Sequence, residues 1–196
     1  HPNDILVLLY YYLVRYRGWN GPVVRNICTT HTLDRLAEKF GEDCYEVPVG
    51  FKHISAKMYA TEAVIGGESS GGLTVRGHIR GKDGIYAAAL LVEMIAVTGK
   101  KLSEIFDDIE AECGKIYMEE KDYKFNQEKK VRIQKILLEE RKLPKLPFET
   151  EKVSYLDGSK VYFKNGGWVT ARFSGTEPLL RIFCEMPSAQ DAREVC

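Results

Sequence analysis

At 196 residues the chain can hold one large domain or two small ones with a core each, and its 44% hydrophobic and 29% charged residues are the mix of a globular protein. Its 28 basic residues balance 28 acidic ones, which excludes nucleic-acid or membrane-surface binding driven by bulk charge, so any anion site must be local. Cys28, Cys44, Cys113, Cys184 and Cys196 form no Cys-x-x-Cys pair, and His1, His31, His53 and His78 are equally dispersed. Reduced thiols of a cytoplasmic protein are expected, with no disulfide framework and no metal site in this chain.

The first helix is expected from about Asn3, its N-cap, to Arg17, with Ile5, Leu8, Leu9, Tyr12, Leu13 and Tyr16 at helical spacing. Its apolar run is too short to span a bilayer and lacks the charged lead and cleavage site of a signal peptide. After the turn GWNGP, a strand is expected over 23–28, a helix over 32–40 stopped by Gly41, and a strand over 45–49. GFKHISAKMYAT reads as a loop leading into a short helix, and AVIGG, from Ala63, as a strand that opens into a glycine-rich loop. A helix over 83–98 would bury Ile85, Ala88, Ala89, Val92, Ile95 and Ala96, with Gly99 as its stop. A further helix over 102–113 buries Leu102, Ile105, Phe106 and Ile109 and leaves the acidic cluster FDDIEAE on its solvated side.

Alternating strands and helices imply a three-layer α/β/α domain with a mixed, mostly parallel sheet, assigned to residues 1–116. YMEEKDYKF reads as a charged hinge entering a strand, Asn126 caps a helix to about Arg141, and KLPKLP is a loop. From Lys152 onward, Asp-Gly and Asn-Gly turns separate short alternating runs, which predicts an antiparallel meander and a smaller α+β domain over 117–196. The chain begins without Met and stops at Cys196 within a helix starting near Ser188; a piece of a longer protein, cut in its last domain, is expected.

Two loops carry chemistry. RFSGTEP, Arg172 to Pro178, joins two strands of the meander and offers a guanidinium fork, two hydroxyls and a glycine, a donor set suited to a phosphate dianion. The plain reading is a polar loop whose Arg pairs with Glu177. GESSGG, Gly67 to Gly72, follows a parallel strand, where ligands of α/β sheets bind. Glu68 can accept two hydroxyl hydrogen bonds and Ser70 can donate and accept, which matches adjacent sugar hydroxyls; the plain reading is a flexible loop or a helix cap. No Gly-Lys-Ser/Thr is present, so a nucleoside triphosphate is not the expected ligand.

Taken with GHIRGKDG, Gly77 to Gly84, and PVGFKHI, Pro48 to Ile54, these loops make the chain resemble the C-terminal half of the α-D-phosphohexomutases. The resemblance covers nearly the whole chain and implies the third and fourth of four domains. It implies that Glu68 and Ser70 read sugar hydroxyls, that Gly50 lies against the ring, and that Arg172, Ser174, Gly175 and Thr176 hold the non-transferring phosphate. Lys82, and secondarily His78, would approach the reacting end; Lys82 is the first candidate for proton transfer, provided that desolvation and nearby cations lower its pKa. A charged donor to phosphate is its other role. Ser69 stands where many relatives carry Glu, and Gly72 where one branch carries His.

The resemblance further implies interconversion of hexose 1-phosphate and hexose 6-phosphate, of glucose or mannose, through a phosphoserine and a glucose 1,6-bisphosphate intermediate. The phosphoserine loop and the Asp-rich loop that binds Mg2+ are absent from these residues, so this half is expected to bind substrate weakly and not turn it over. The expected partners are the hexose phosphate and the missing N-terminal domains. A phosphoglucosamine mutase and a non-catalytic phosphosugar-binding module are the alternatives.

Overall fold

The computed structural model describes residues 1–174 and 177–196 and divides the chain into two units, His1–Lys115 and Ile116–Cys196. In the first unit, short strands β1 (Val23–Asn26), β2 (Cys44–Val47), β3 (Ile65–Gly67) and β4 (Leu73–Val75) form one sheet in the order β2-β1-β3-β4. β1 pairs in parallel with β2 and β3, and β4 runs antiparallel to β3. Alternate residues of β1 point to opposite faces. Val23 therefore packs with α1 (Pro2–Arg15), α2 (Thr32–Phe40), α4 (Gly84–Thr98) and α5 (Leu102–Cys113), while Val24 packs with Ile54 and Met58 of α3 (Phe51–Thr61). The expected three layers with a mixed, mostly parallel sheet are present.

α1 departs from a one-sided helix. Every residue from Leu6 to Leu13 is buried, because α1 lies against β3 while α2, α4 and α5 pack around it. It starts at Pro2, with His1 as N-cap, and Asn3 is a buried residue inside it. Segment 51–61 is one continuous helix, not a loop before a short one, and Gly50 is its N-cap residue. β4 was not expected at all.

The face assigned to α4 from its spacing is corrected by the structure. Ala87, Leu90 and Met94 are buried, whereas Ile85 is 87% and Val92 67% exposed, with Ala88, Ala89, Ile95 and Ala96 on the same open side. The helix is apolar nearly all round, so its pattern carries little phase. Ile85→Ser and Val92→Ser are accordingly expected to change the unfolding free energy by no more than about 0.5 kcal/mol. Urea unfolding of the chain checks this, and a loss of more than about 2 kcal/mol would make that face part of the core.

Arg25 is almost fully enclosed and donates to Asp34 of α2 (2.6 and 2.8 Å) and to Glu46 of β2 (2.6 Å). A buried guanidinium needs such partners. Here they tie β1 to the neighbouring helix and strand immediately before Asn26, at the end of the sheet where the loops gather.

The second unit is a five-stranded antiparallel sheet in the order β5-β9-β8-β7-β6, formed by β5 (Tyr117–Lys124), β6 (Thr150–Ser154), β7 (Ser159–Phe163), β8 (Trp168–Phe173) and β9 (Leu179–Met186). The charged segment read as a hinge is β5 itself, paired with β9 over its whole length. Charged side chains suit it because β5 is an edge strand. α6 (Gln127–Gln134), capped by Asn126, continues into a π-helical turn over Lys135–Glu139, and α7 (Ala189–Val195) is capped by Ser188. An apolar cavity of about 520 Å³ is lined by Val161, Val169 and Ala171 together with Ile133 and Leu137. Arg172 alternates with Ala171 and Val169 and so projects from the opposite face of β8. No helix among the described residues is long and apolar enough to cross a membrane.

Candidate functional site

Glu68 directly follows β3 at its carboxyl end, and its side chain is only 5% exposed. Its Oε1 accepts from the Gly50 N–H (3.1 Å) and from Asn26 Nδ2 (3.4 Å), and its Oε2 lies 3.1 Å from Lys82 Nζ. Three pieces of backbone therefore converge on one carboxylate: the end of β1, the cap of α3 and the segment after β4. Two bonds between Glu68, Gly71 and Gly72 close the turn, since the Glu68 N–H donates to the Gly72 carbonyl and the Gly71 N–H to the Glu68 carbonyl. Ser70 sits exposed at the tip of that turn and Ser69 is half-buried.

Asn26 is a member of this group that the sequence did not reveal. Its Oδ1 accepts from the Cys28 N–H and the Thr29 hydroxyl (both 2.9 Å), which turns its amide nitrogen toward Glu68. A buried amide fixed at both ends orients its carboxylate partner.

Lys82 is 53% exposed, with Nζ 5.6 Å from the Phe51 ring centroid. Its neighbours are a carboxylate, an aromatic face and solvent. Gly72 makes room for it: a Cβ at that position would stand 2.5 Å from Lys82 Cδ and 2.9 Å from Cε. The Lys82 stem thus occupies the space over Gly72. Gly72→Ala is expected to displace Lys82 from Glu68, with a stability change within about 0.5 kcal/mol because a flexible stem can swing aside. Amide NMR beside thermal unfolding checks this, and unshifted Glu68 and Lys82 amides in the variant would show that Lys82 does not need its present seat.

His78 is not brought to this group. Its Nε2 lies 2.8 Å from Asp83 Oδ2, and its ring stacks on Tyr86 at 4.1 Å. Asp83 also caps α4 through the Ile85 and Tyr86 N–H groups; the Tyr86 bond first, and then His78, hold its carboxyl below the usual aspartate range. The stabilisation that these bonds provide is present above the ordinary aspartate pKa and lost as pH falls through the depressed value. The pair anchors the segment that carries Lys82.

In the second unit, Arg172 Nε donates to Asp157 Oδ2 at 3.0 Å, and both side chains are 25% exposed. Asp157 belongs to the Asp-Gly turn between β6 and β7, which presses against β8. Gly158 has φ +93°, and a Cβ there would stand 2.4 Å from the Ala171 carbonyl oxygen, so no side chain fits. Arg181 lies directly across from Arg172 on β9, with Nε 3.8 Å from Asp122 Oδ1. Like charges opposed across a ladder repel. Asp157 and Asp122, one facing each guanidinium, offset that repulsion at the base of the loop.

Ser174 donates its N–H to the Leu179 carbonyl (2.8 Å), and its hydroxyl accepts from the Glu177 N–H (3.2 Å). Lys130, which the sequence did not single out, donates from Nζ to the carbonyls of Ser174 (2.8 Å) and Glu177 (3.1 Å). Gly175 and Thr176, also expected in the phosphate site, lie outside the described residues. Among the described residues, no three His, Cys, Asp or Glu side chains are grouped to hold a metal ion.

An α/β/α unit with a carboxylate at its strand ends, followed by an α+β unit with an arginine-bearing loop, defines the class of this chain. The family model described as phosphoglucomutase/phosphomannomutase alpha/beta/alpha domain III matches residues 1–112, and the model of the phosphoglucomutase/phosphomannomutase C-terminal domain matches residues 118–196. The chain belongs to the phosphoglucomutase/phosphomannomutase family. It is 33% identical over 175 residues to a phosphoglucomutase/phosphomannomutase of Thermococcus kodakarensis, which covers 89% of this chain and 36% of that protein. It is 29% identical over 183 residues to a phosphoglucosamine mutase of Methanococcus maripaludis, covering 93% and 39%. A solved structure from Thermus thermophilus, described as a phosphomannomutase, superposes with TM-score 0.78 at 31% identity over 99% of this chain and 38% of that one. The chain thus spans little more than a third of the length of these relatives.

Proposed function

We propose that this chain is the substrate-holding half of a phosphohexomutase that interconverts hexose 1-phosphate and hexose 6-phosphate of glucose or mannose. The observation that supports this most is the Glu68 carboxylate, nearly buried and yet lined by the Gly50 N–H, Asn26 and Lys82 at the carboxyl ends of parallel strands. A carboxylate so held accepts adjacent hydroxyls in a fixed direction. Ser70 adds a hydroxyl, and Gly50 offers a flat surface to the ring. Arg172 and Ser174, with Gly175 and Thr176, take the phosphate that is not transferred, and Lys82 donates to the charge at the reacting end.

The same contacts serve two poses. A hexose 1,6-bisphosphate that turns end for end presents either phosphate to the Arg172 loop and a similar hydroxyl pair to Glu68. Phosphoserine and Mg2+ belong, on this reading, to the part of the protein outside this chain; the metal would neutralise charge on the phosphoryl group in transfer. The residues here bind, orient and donate hydrogen bonds. Supplied with glucose 1-phosphate and a trace of glucose 1,6-bisphosphate, the chain alone is expected to form no glucose 6-phosphate, whereas the full-length protein is expected to form it. Glucosamine 1-phosphate belongs in the same assay, because relatives bearing the phosphoglucosamine mutase name match too. A full-length protein inert toward all these sugars would leave the non-catalytic binding module standing.

A further inference from the structure

We propose that Lys130 is a positioning residue for the phosphate-binding loop, an ammonium that pins the two carbonyls flanking the loop's centre and keeps a positive charge beside the bound anion. The inference rests on the reading of RFSGTEP as the phosphate site.

α6 begins beside this loop. The Phe125 N–H donates to the Pro178 carbonyl, Asn126 caps the helix, and Lys130 reaches back to Ser174 and Glu177 from one turn further on. The four residues from Asn126 to Lys129 are exposed, while Lys130 is half-buried. Its two acceptors are main-chain oxygens, and among the described residues it makes no ion pair.

The loop does not need a cation merely to turn. The Ser174 N–H to Leu179 bond and the Glu177 N–H to Ser174 hydroxyl bond already join its ends, and the β8–β9 ladder continues directly below. Fixing a long lysine side chain costs rotamer entropy. Arg172 and Arg181 nearby each face an aspartate, Asp157 and Asp122, whereas the Lys130 ammonium is set against carbonyls and brings its charge to the loop undiminished by an ion pair among the described residues. An ammonium carried on a different element and set against the loop's own carbonyls is the arrangement that a dianion would stabilise.

Lys130→Met keeps the stem and removes the charge; Lys130→Arg keeps the charge. In the 196-residue chain, Lys130→Met is expected to speed amide hydrogen exchange at Ser174 and Glu177 while leaving exchange at Phe183 and Cys184 of β9 unchanged. Its dissociation constant for inorganic phosphate, followed by amide NMR, is expected to rise about tenfold, with partial recovery in Lys130→Arg. Unchanged exchange at Ser174 and Glu177 overturns the inference. So does faster exchange with native phosphate affinity, which would make Lys130 a structural clamp only. If inorganic phosphate moves no amide of the loop in the native chain, the phosphate-site reading itself falls and takes this inference with it.

Discussion

Arg172→Ala is expected to weaken the binding of inorganic phosphate and of glucose 1-phosphate alike, by about 10- to 100-fold. The guanidinium is the one side chain of RFSGTEP that can give a phosphate two parallel charge-assisted bonds. Its loss also removes the 3.0 Å bond to Asp157, which ties the base of the loop to the turn between β6 and β7. Arg172→Lys restores charge without the fork and should recover only part of the affinity. Stability should fall by no more than about 1 kcal/mol, since the Arg172–Asp157 pair is a quarter exposed on both sides and screened accordingly. In the full-length enzyme the same substitution is expected to raise KM. An unchanged KM, or an equal loss with Arg181→Ala alone, would remove Arg172 from its assigned place.

Glu68→Ala should act on the sugar and not on phosphate alone. It deletes the acceptor shared by the Gly50 N–H, the Asn26 amide and Lys82, and leaves two of those donors in a site where water has little access. Each buried donor left unmatched costs about 1–3 kcal/mol, so a clear drop in stability is expected. The lost ion pair adds little, because Lys82 is half in solvent. Glu68→Gln separates fold from recognition: it keeps the volume and one acceptor, and should hold most of the stability while setting an amide against the Lys82 ammonium. In that variant the preference for glucose 1-phosphate over inorganic phosphate should disappear, which parallel titrations would read directly. A retained preference would mean that the sugar is recognised elsewhere.

How much of this was legible in the sequence depends on where the physical signal lay. α2 and α5 were placed by local features, a glycine stop at Gly41 and a clean apolar stripe with Ile105 and Ile109, and both stand where expected. The Asp-Gly and Asn-Gly turns announced the antiparallel meander because hairpin geometry needs residues that tolerate positive φ. α4 misled because Glu93 is its only charged residue, so apolar spacing could not tell the buried side from the open one. β4 has three residues inside a glycine-rich loop and shows no period, and the charges of β5 resemble a linker until its edge position is known.

The candidate sites divide in the same way. Glu68, Lys82 and Arg172 stood out because each lies in a short, chemically dense stretch. Asn26, Asp157 and Lys130 did not, since they meet their partners only across 42, 15 and 44 residues of chain. Nothing local marks an asparagine at a strand end or one lysine among five residues rich in Lys and Glu. His78 was singled out with Lys82 through the family resemblance, and its contact with Asp83 was not legible beforehand.

The proposed function divides the labour, with sugar read in the first unit and phosphate in the second. An amide NMR titration of the chain with inorganic phosphate, glucose 1-phosphate and mannose 1-phosphate tests it most directly. All three ligands are expected to move Ser174 and Glu177, only the two sugar phosphates to move Gly50, Glu68 and Ser70, and the size of those sugar-specific shifts to rank the two epimers. Sugar phosphates that move the Arg172 loop and leave Gly50, Glu68 and Ser70 as inorganic phosphate leaves them would contradict it.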